Sequence, residues 1–242
     1  MSNTGKVALI TGANKGIGYE IARGLGEQGY TVLIGARDPE RGEEAARSLR
    51  ETGSDARWIA LEVTDRASIA RAASVIESDY GKLDALVNNA GIAIESEPPS
   101  TSDNDALRRT YDVNFFGAVQ VAQAMLPLLR KSAAGRIVNM SSGLGSLAQN
   151  SDSYWMGYDV NILAYNSSKT ALNAFTVMLA KELANTPIKV NAADPGYCST
   201  DLNQHRGPRT PAQGAAIGVK LATLPVEGPT GGYFDDNGRV PW

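Results

Sequence analysis

The sequence predicts an α/β fold, a doubly wound, mostly or wholly parallel sheet flanked by helices on both faces. Three observations carry this reading. Short runs rich in Val, Ile and Leu alternate with amphipathic stretches along the chain. The runs are bounded by turn-forming residues, as strand ends are. They are continuously apolar rather than alternating, which fits strands covered on both sides. Right-handed crossovers then wind the intervening helices onto the two faces.

In chain order, residues 6–10 (KVALI) read as the first strand and 17–28 as the first helix. A strand at 31–36, a helix at 39–52, a strand at 57–61 and a helix at 66–80 follow. Residues 83–90 (LDALVNNA) read as the fourth strand, and one long helix covers about 103–130. A strand at 136–140, a helix at 163–184, a strand at 188–193, a helix at 211–223 and a last strand at 231–234 complete the pattern.

A chain of 242 residues, 43% hydrophobic and 20% charged, buries a sizeable core. Its net charge of −3 and lack of any Lys/Arg cluster speak against a nucleic-acid partner. The one cysteine, Cys198, cannot form an internal disulfide, which suits a reducing, cytoplasmic setting; it reads as a packing residue. The one histidine, His205, reads as a residue of a solvated loop, and no metal site is expected. The first apolar run is too short for a secretory signal. No stretch approaches the roughly 18 apolar residues of a membrane span. The longest candidate, 115–129, is interrupted by Gln120, Gln123 and Pro127.

Ligands of such folds sit at the carboxyl ends of the strands. There the first strand runs into TGANKGIG (11–18), which opens the first helix. Gly12 permits a tight turn, while Gly16 and Gly18 let a pyrophosphate and the neighbouring strand approach. Asn14, Lys15 and Ile17 belong to the same loop. The spacing excludes a P-loop, which ends in Gly-Lys-Ser/Thr. A second glycine pattern, GLGEQG (24–29), falls at a helix end and reads as close packing and a cap. The loop context points to a Rossmann-like dinucleotide site. Where an NAD-binding fold carries an acid, at the end of the second strand, Ala36 stands, followed by Arg37. Arg37 and Lys15 therefore favour the 2′-phosphate of NADP(H). Asp38 opposes this if it points inward.

These residues, with NNAG (88–91), Asn114 in DVNFFG, SS (141–142), YNSSK (165–169) and DPG (194–196), resemble the short-chain dehydrogenase/reductase family over nearly the whole chain. IGARDPERG (34–42), RGPRTPAQGA (206–215) and GPTGGYFDDNG (228–238) are similar to its NADPH-using, carbonyl reductase-like members. The resemblance implies one domain over 1–242, with a dinucleotide-binding part to about 140 and a catalytic and substrate-loop part from about 141. It implies a catalytic tetrad of Asn114, Ser142, Tyr165 and Lys169. It places Glu62 and Val63 beside the adenine, although the family usually has Asp at position 62. Asn89, Ala90 and Gly91 shape the pocket beneath the adenine-side ribose, and Pro195, Gly196 and Thr200 hold the nicotinamide, whose own ribose falls to Lys169.

Tyr165 and Lys169 are four residues apart on one helix face. At about 4 Å and an effective dielectric near 20, an ammonium attracts a phenolate by on the order of 4 kcal/mol. That sets a ceiling of roughly three pKa units on the acidification of Tyr165. Ser142 would then polarise a carbonyl, Tyr165 protonate it, Lys169 bind the ribose, and Asn114 hold a relaying water. The choice of Ser142 over Ser141 rests on the resemblance.

Between serine and tyrosine lies LAQNSDSYWMGYDVNIL (147–163). Two readings stand: Tyr154, Trp155, Met156 and Tyr158 roof a pocket for bulky apolar carbonyls, or the segment packs against the body. The segment leaves monomer or homo-oligomer undecided. Tyr197, Cys198, Leu202 and His205 fall in a loop that either closes over substrate or is an ordinary surface connection. The expected activity is NADPH-dependent reduction of an aldehyde or ketone, as a carbonyl reductase or alcohol dehydrogenase. Its partners are small molecules, with no nucleic acid and no membrane. Two rivals are a tyrosine-dependent epimerase or dehydratase on a nucleotide sugar, and a non-catalytic dinucleotide sensor.

Overall fold

The computed structural model describes residues 5–94 and 97–242. Eight strands form one sheet in the order 3-2-1-4-5-6-7-8. They are β1 (Lys6–Thr11), β2 (Tyr30–Ala36), β3 (Ala56–Ala60), β4 (Ala85–Asn88), β5 (Arg136–Met140), β6 (Lys189–Ala193), β7 (Tyr233–Asp235) and β8 (Gly238–Arg239). All neighbouring pairs are parallel except β7 and β8, which are antiparallel. The helices are α1 (Gly16–Gly26), α2 (Pro39–Glu51), α3 (Arg66–Tyr80), α4 (Asn104–Tyr111), α5 (Ala118–Leu129), α6 (Leu147–Asn150), α7 (Leu163–Glu182) and α8 (Pro211–Ala222).

Alternate residues of β1, β2, β4 and β5 feed two cores, one on each face of the sheet, and a small third cluster holds Ala192, Tyr233 and Val240. Val7, Leu9, Leu33, Leu86, Ile137 and Val190 pack with Ile76 of α3, Met125 of α5 and Leu179 of α7. Ala8, Ile10, Val32, Ile34, Val87 and Val138 pack with Ile21 of α1, Leu49 of α2 and Leu221 of α8. Period-two alternation thus survives within runs that are apolar throughout, because both faces are covered.

The helices begin where their sequence says. Asp38 accepts from the Arg41 amide at 3.0 Å and caps α2, with Pro39 in its first turn. Asp65 caps α3, and Gly81 ends it with φ of 73°. The decoy glycines are packing positions: a methyl on Gly24 would lie 2.9 Å from Val219 and one on Gly26 2.5 Å from Ser54 Oγ, while Gly29 has φ of +80°.

The expected helix at 103–130 is divided. A π turn, Asp112–Gly117, separates α4 from α5. Its periodicity stays helical, so the interruption is invisible in the apolar pattern. Gly117 closes the turn against Val63, which a methyl would meet at 3.0 Å. The expected strand at 83–90 contracts to 85–88, because the amides of Asn89 and Ala90 leave the ladder and donate to Thr11 Oγ1, each at 2.9 Å. The last expected strand, 231–234, shifts to 233–235, and β8 was not expected. Its hairpin turns on Asp235 Oδ1, which accepts from Asn237 and Gly238 amides at 2.8 and 2.9 Å. The Asn237-Gly238 pair is a hairpin signal that the sequence carries.

A buried polar chain crosses the carboxyl end of the sheet: Asn88 Nδ2 donates to Asn139 Oδ1 at 2.9 Å, and Asn139 Nδ2 to Thr176 Oγ1 at 2.8 Å. Asn139→Ala strands a donor on one side and an acceptor on the other. Urea denaturation should show a loss on the order of 3 kcal/mol; a loss under about 1 kcal/mol speaks against the chain as a structural tie.

Candidate active site

The glycine loop stands at the carboxyl end of β1 as a preformed cradle. Gly12 and Gly16 have φ of +63° and +60°, a region that disfavours side chains. A methyl on Gly18 would lie 2.4 Å from Asn89 Nδ2 and 2.7 Å from the Gly12 carbonyl, so α1 approaches the turn as only glycine allows. At Gly16 a methyl would meet only Thr200 Cγ2, at 3.9 Å, so this glycine faces open space. Lys15 precedes α1 in extended backbone without a side-chain cap, which leaves first-turn amides free of such a partner. These features fit a dinucleotide pyrophosphate. Asn89 Nδ2 donates to the carbonyls of Thr11 (2.9 Å) and Gly12 (3.2 Å), tying the cradle to the end of β4. Asn14 and Ile17 are half-buried in the same loop, and Ile17 packs on the α1 side of the core.

The adenine side is arranged differently from expectation. Asp38, as a helix cap, does not oppose an incoming phosphate from within the groove. The Arg37 side chain is 79% exposed and lies 3.5 Å from Glu62 Oε2. Glu62 Oε1 is turned onto the amide and hydroxyl of Thr64, at 3.2 and 3.0 Å, and Val63 is buried. Lys15 does not point toward Arg37; its ammonium pairs with Asp201 from the loop after β6. Asp201 also meets His205 Nε2 at 2.9 Å. That loop is structured rather than loose: Thr200 precedes a 3-10 turn, and Cys198 bridges to Arg209. Cys198 is buried and directs its thiol to the Pro195 carbonyl at 3.2 Å, as a packing residue would. Pro195 and Gly196 lead into this loop, and Thr200 faces the glycine loop, its Cγ2 3.9 Å from where a methyl on Gly16 would lie.

The four tetrad residues converge where β5 meets α7. Ser142 follows β5; its Oγ accepts from the Leu144 amide at 3.3 Å, and its hydroxyl faces the Tyr165 phenol, where it favours the ionised form. Lys169 is buried; its Nζ donates to the Met140 carbonyl at 2.7 Å and lies 5.6 Å from the Tyr165 ring centroid. Gly91 is close by: a methyl there would lie 3.4 Å from Asn114 Oδ1 and 3.6 Å from Lys169 Nζ. Asn114, inside the π turn, clamps the loop after β4. Its Oδ1 accepts from the Ile92 amide at 2.8 Å, and its Nδ2 donates to the Ile92 carbonyl and Ser168 Oγ at 2.9 and 3.0 Å. Gly145 sets the spacing, since a methyl there would lie 2.8 Å from Lys169 Cβ and 2.9 Å from its backbone. Ser141 is turned away from the groove, onto Asn173 Oδ1 at 2.6 Å, which separates it from Ser142. Sequence reasoning missed Asp201, Ser168, Gly145 and the Met140 carbonyl. Asp201 was adjacent to an identified residue, but a backbone acceptor leaves no trace in a sequence.

One expectation is corrected. The polypeptide by itself does not make Tyr165 acidic: burial pushes its pKa up to about 12, partly offset by Ser142, with Asp194 adding to the rise. Burial also lowers Lys169 to about 8. Desolvation of both groups outweighs their attraction, because the ammonium is bonded to a carbonyl instead of the phenol. Of the two readings of residues 147–163, the roof does not hold for its most exposed side chains. Tyr154 and Met156 are 97% and 94% exposed, so neither covers a pocket. Trp155 alone turns inward, its ring against Gly143 and Gly157.

A doubly wound sheet with a glycine cradle after β1 and a Tyr-x3-Lys helix beside a serine defines a short-chain oxidoreductase. A family profile described as short chain dehydrogenase matches residues 6–210, and the chain belongs to that family. It is 33% identical to (-)-isopiperitenone reductase of Mentha piperita, over 97% of each chain. It is 32% identical to carbonyl reductase [NADPH] 1 of Sus scrofa, over 100% of this chain and 96% of that one. Its fold is similar to a gluconate 5-dehydrogenase of Burkholderia cenocepacia in complex with NADP and tartrate, with a TM-score of 0.83, 26% identity and coverage of 97% and 94%. Among the described residues, no helix is long and apolar enough to cross a membrane.

The folded pKa of Lys169, about 8, lies below its unfolded 10.5, so the folded state binds fewer protons between those values. Stability therefore rises with pH across that window. Relative to Lys169→Met, the wild type should gain about 3 kcal/mol between about pH 7.5 and 10.5, read by denaturation at each pH. A pH-independent difference contradicts the burial of the ammonium.

Proposed function

We propose that this chain is an NADP(H)-dependent carbonyl reductase or alcohol dehydrogenase acting on a small aldehyde or ketone, with Asn114, Ser142, Tyr165 and Lys169 as its catalytic group. The observation that carries the reading is the placement of the Tyr165 phenol beside the Ser142 hydroxyl and a buried Lys169, whose Nζ lies 5.6 Å from the Tyr165 ring centroid. When bound, the reduced nicotinamide supplies a hydride to the carbonyl carbon. Ser142 donates a hydrogen bond to the carbonyl oxygen. Tyr165 transfers its proton to that oxygen as charge develops there. A phenol held near 12 is fully protonated at neutral pH, which suits a proton donor and hence the reductive direction. Lys169 places positive charge behind the phenol and stands at Gly91, where it can reach ribose hydroxyls. Asn114 holds the loop carrying Gly91 against α7, and a water at this junction would relay protons to Lys169.

The dinucleotide is held by Gly12, Asn14, Lys15, Gly16, Ile17 and Gly18 at the phosphates. Arg37, Glu62 and Val63 serve its adenine side; Asn89, Ala90 and Gly91 its ribose; Pro195, Gly196 and Thr200 its nicotinamide. The preference for NADP(H) is supported by the neutral Ala36, by the exposed Arg37, and by relatives whose names specify NADPH or NADP. Lys15 joins the 2′-phosphate only by leaving Asp201, an exposed pair whose separation costs little. The single, unpaired cysteine suits a reducing compartment such as the cytoplasm.

Tyr165→Phe should retain coenzyme binding and lose about 100-fold or more in kcat on any carbonyl that the wild type reduces. Undiminished turnover removes the proposed role of the phenol, and NADPH binding without turnover on a broad carbonyl panel favours a sensor. Arg37→Ala should reduce the NADPH-over-NADH preference in kcat/KM by about tenfold or more; an unchanged ratio removes Arg37 from the 2′-phosphate site.

A further inference from the structure

Next to the Ser142–Tyr165 pair stands a carboxylate that the proposed reduction does not use. Asp194 leaves the end of β6 half-buried. Its Oδ1 accepts from the Gly196 amide at 2.9 Å, and its Oδ2 lies beside Gly143. From the other side, Trp155 and Gln149 reach in from the segment after Ser142. The three side chains meet at Gly143, the residue directly following Ser142. A methyl placed on Gly143 would lie 2.9 Å from Trp155 Cζ2, 3.0 Å from Asp194 Oδ2 and 3.1 Å from Gln149 Oε1. Gln149 Oε1 is buried and, among the described residues, accepts no hydrogen bond.

This wall therefore offers two acceptors and an aromatic face, within one residue of the carbonyl-polarising hydroxyl. Buried acceptors require donors, and a carboxylate beside an indole attracts a cation through both charge and ring quadrupole. Arg209 also favours the ionised form of Asp194 by its charge, but makes no hydrogen bond to it: its Nη2 goes to Asp236 and the Gln213 carbonyl, while Asp235 opposes that ionisation. Lys169 lies on α7, its Nζ bonded to the Met140 carbonyl.

We propose that Asp194 is a specificity-determining residue whose carboxylate, with the Trp155 ring, binds a protonated amine on the carbonyl substrate. The substrate class is an amino ketone or amino aldehyde. This rests on the carbonyl-reducing reading above and assigns its substrate chemistry. It also accounts for the one aromatic residue of the segment that turns inward.

The test uses the full chain with NADPH and a matched pair of substrates: a phenyl ketone bearing a dimethylamino group, and its isopropyl isostere. Wild type should favour the amine in kcat/KM by on the order of tenfold. Asp194→Asn keeps an acceptor for the Gly196 amide; it should lose on the order of tenfold on the amine and change little on the isostere. Trp155→Leu should also penalise the amine more than the isostere. Equal losses on both ketones, or a wild-type preference for the isostere, overturn the proposal. Calorimetric binding of each ketone to the NADPH-saturated protein reads Asp194 without any turnover: amine binding weakened selectively by Asp194→Asn supports it, and unchanged binding refutes it. Failure of wild type to turn over either ketone, with selective amine binding intact, removes the reductase reading and leaves the cation site standing.

Discussion

The site depends on holding a phenol and an ammonium out of water on one face of α7, pressed against the end of β5. Lys169 is buried there and Tyr165 partly so, which leaves most of the nearby contacts to the chain. Gly145 permits the approach, because any side chain at that position would strike the Lys169 backbone. Thr170 Oγ1 and Asn173 Nδ2 both donate to the Gly145 carbonyl, at 2.9 and 3.2 Å, and lock the register of the helix on the loop. The Met140 carbonyl then takes the ammonium. Burial is the larger effect: it pushes Tyr165 up and Lys169 down, so the isolated polypeptide holds its phenol neutral and ready to give a proton.

Around that contact the fold is stitched by polar groups at the strand ends. Thr11 Oγ1 gathers the Asn89 and Ala90 amides, which opens the sheet between β1 and β4 and seats the glycine cradle. Asn139 joins β4 to α7 through Asn88 and Thr176. The π turn places Asn114 where its amide spans the Ile92 backbone and Ser168. One residue of local irregularity thus couples the loop at Gly91 to the helix carrying the tyrosine, a frequent use of π turns at functional sites. By contrast, the Lys15–Asp201 pair that closes the groove is exposed at both ends and contributes little, so the two loops can part without disturbing the scaffold.

The segment between Ser142 and Tyr165 shows how composition misleads about a surface. Tyr154, Met156 and Tyr158 read as a roof by residue type, yet the chain turns them to solvent. Gly157 makes room for the one inward ring: a methyl there would lie 2.5 Å from the Trp155 ring.

Most of the architecture was legible because it follows from local rules. Apolar runs and caps such as Asp38, Asp65 and Gly81 mark elements by their own chemistry, and the glycine spacing after β1 is dictated by backbone geometry. The Tyr165–Lys169 spacing puts both residues on one helix face whatever the surroundings. The rest required the folded chain. Helical periodicity persists through a π turn, so Asn114 gave no sign of it; the partner of Lys169 is a carbonyl, which every residue possesses; and Lys15 meets Asp201 across 186 positions of sequence. The amino-acid order alone determined which groups the site contains and which strands and helices carry them. Tertiary structure decided how far each is removed from water and what it touches. For ionisable groups those two quantities govern the sign of a pKa shift, because desolvation and charge depend on three-dimensional surroundings rather than on spacing along the chain.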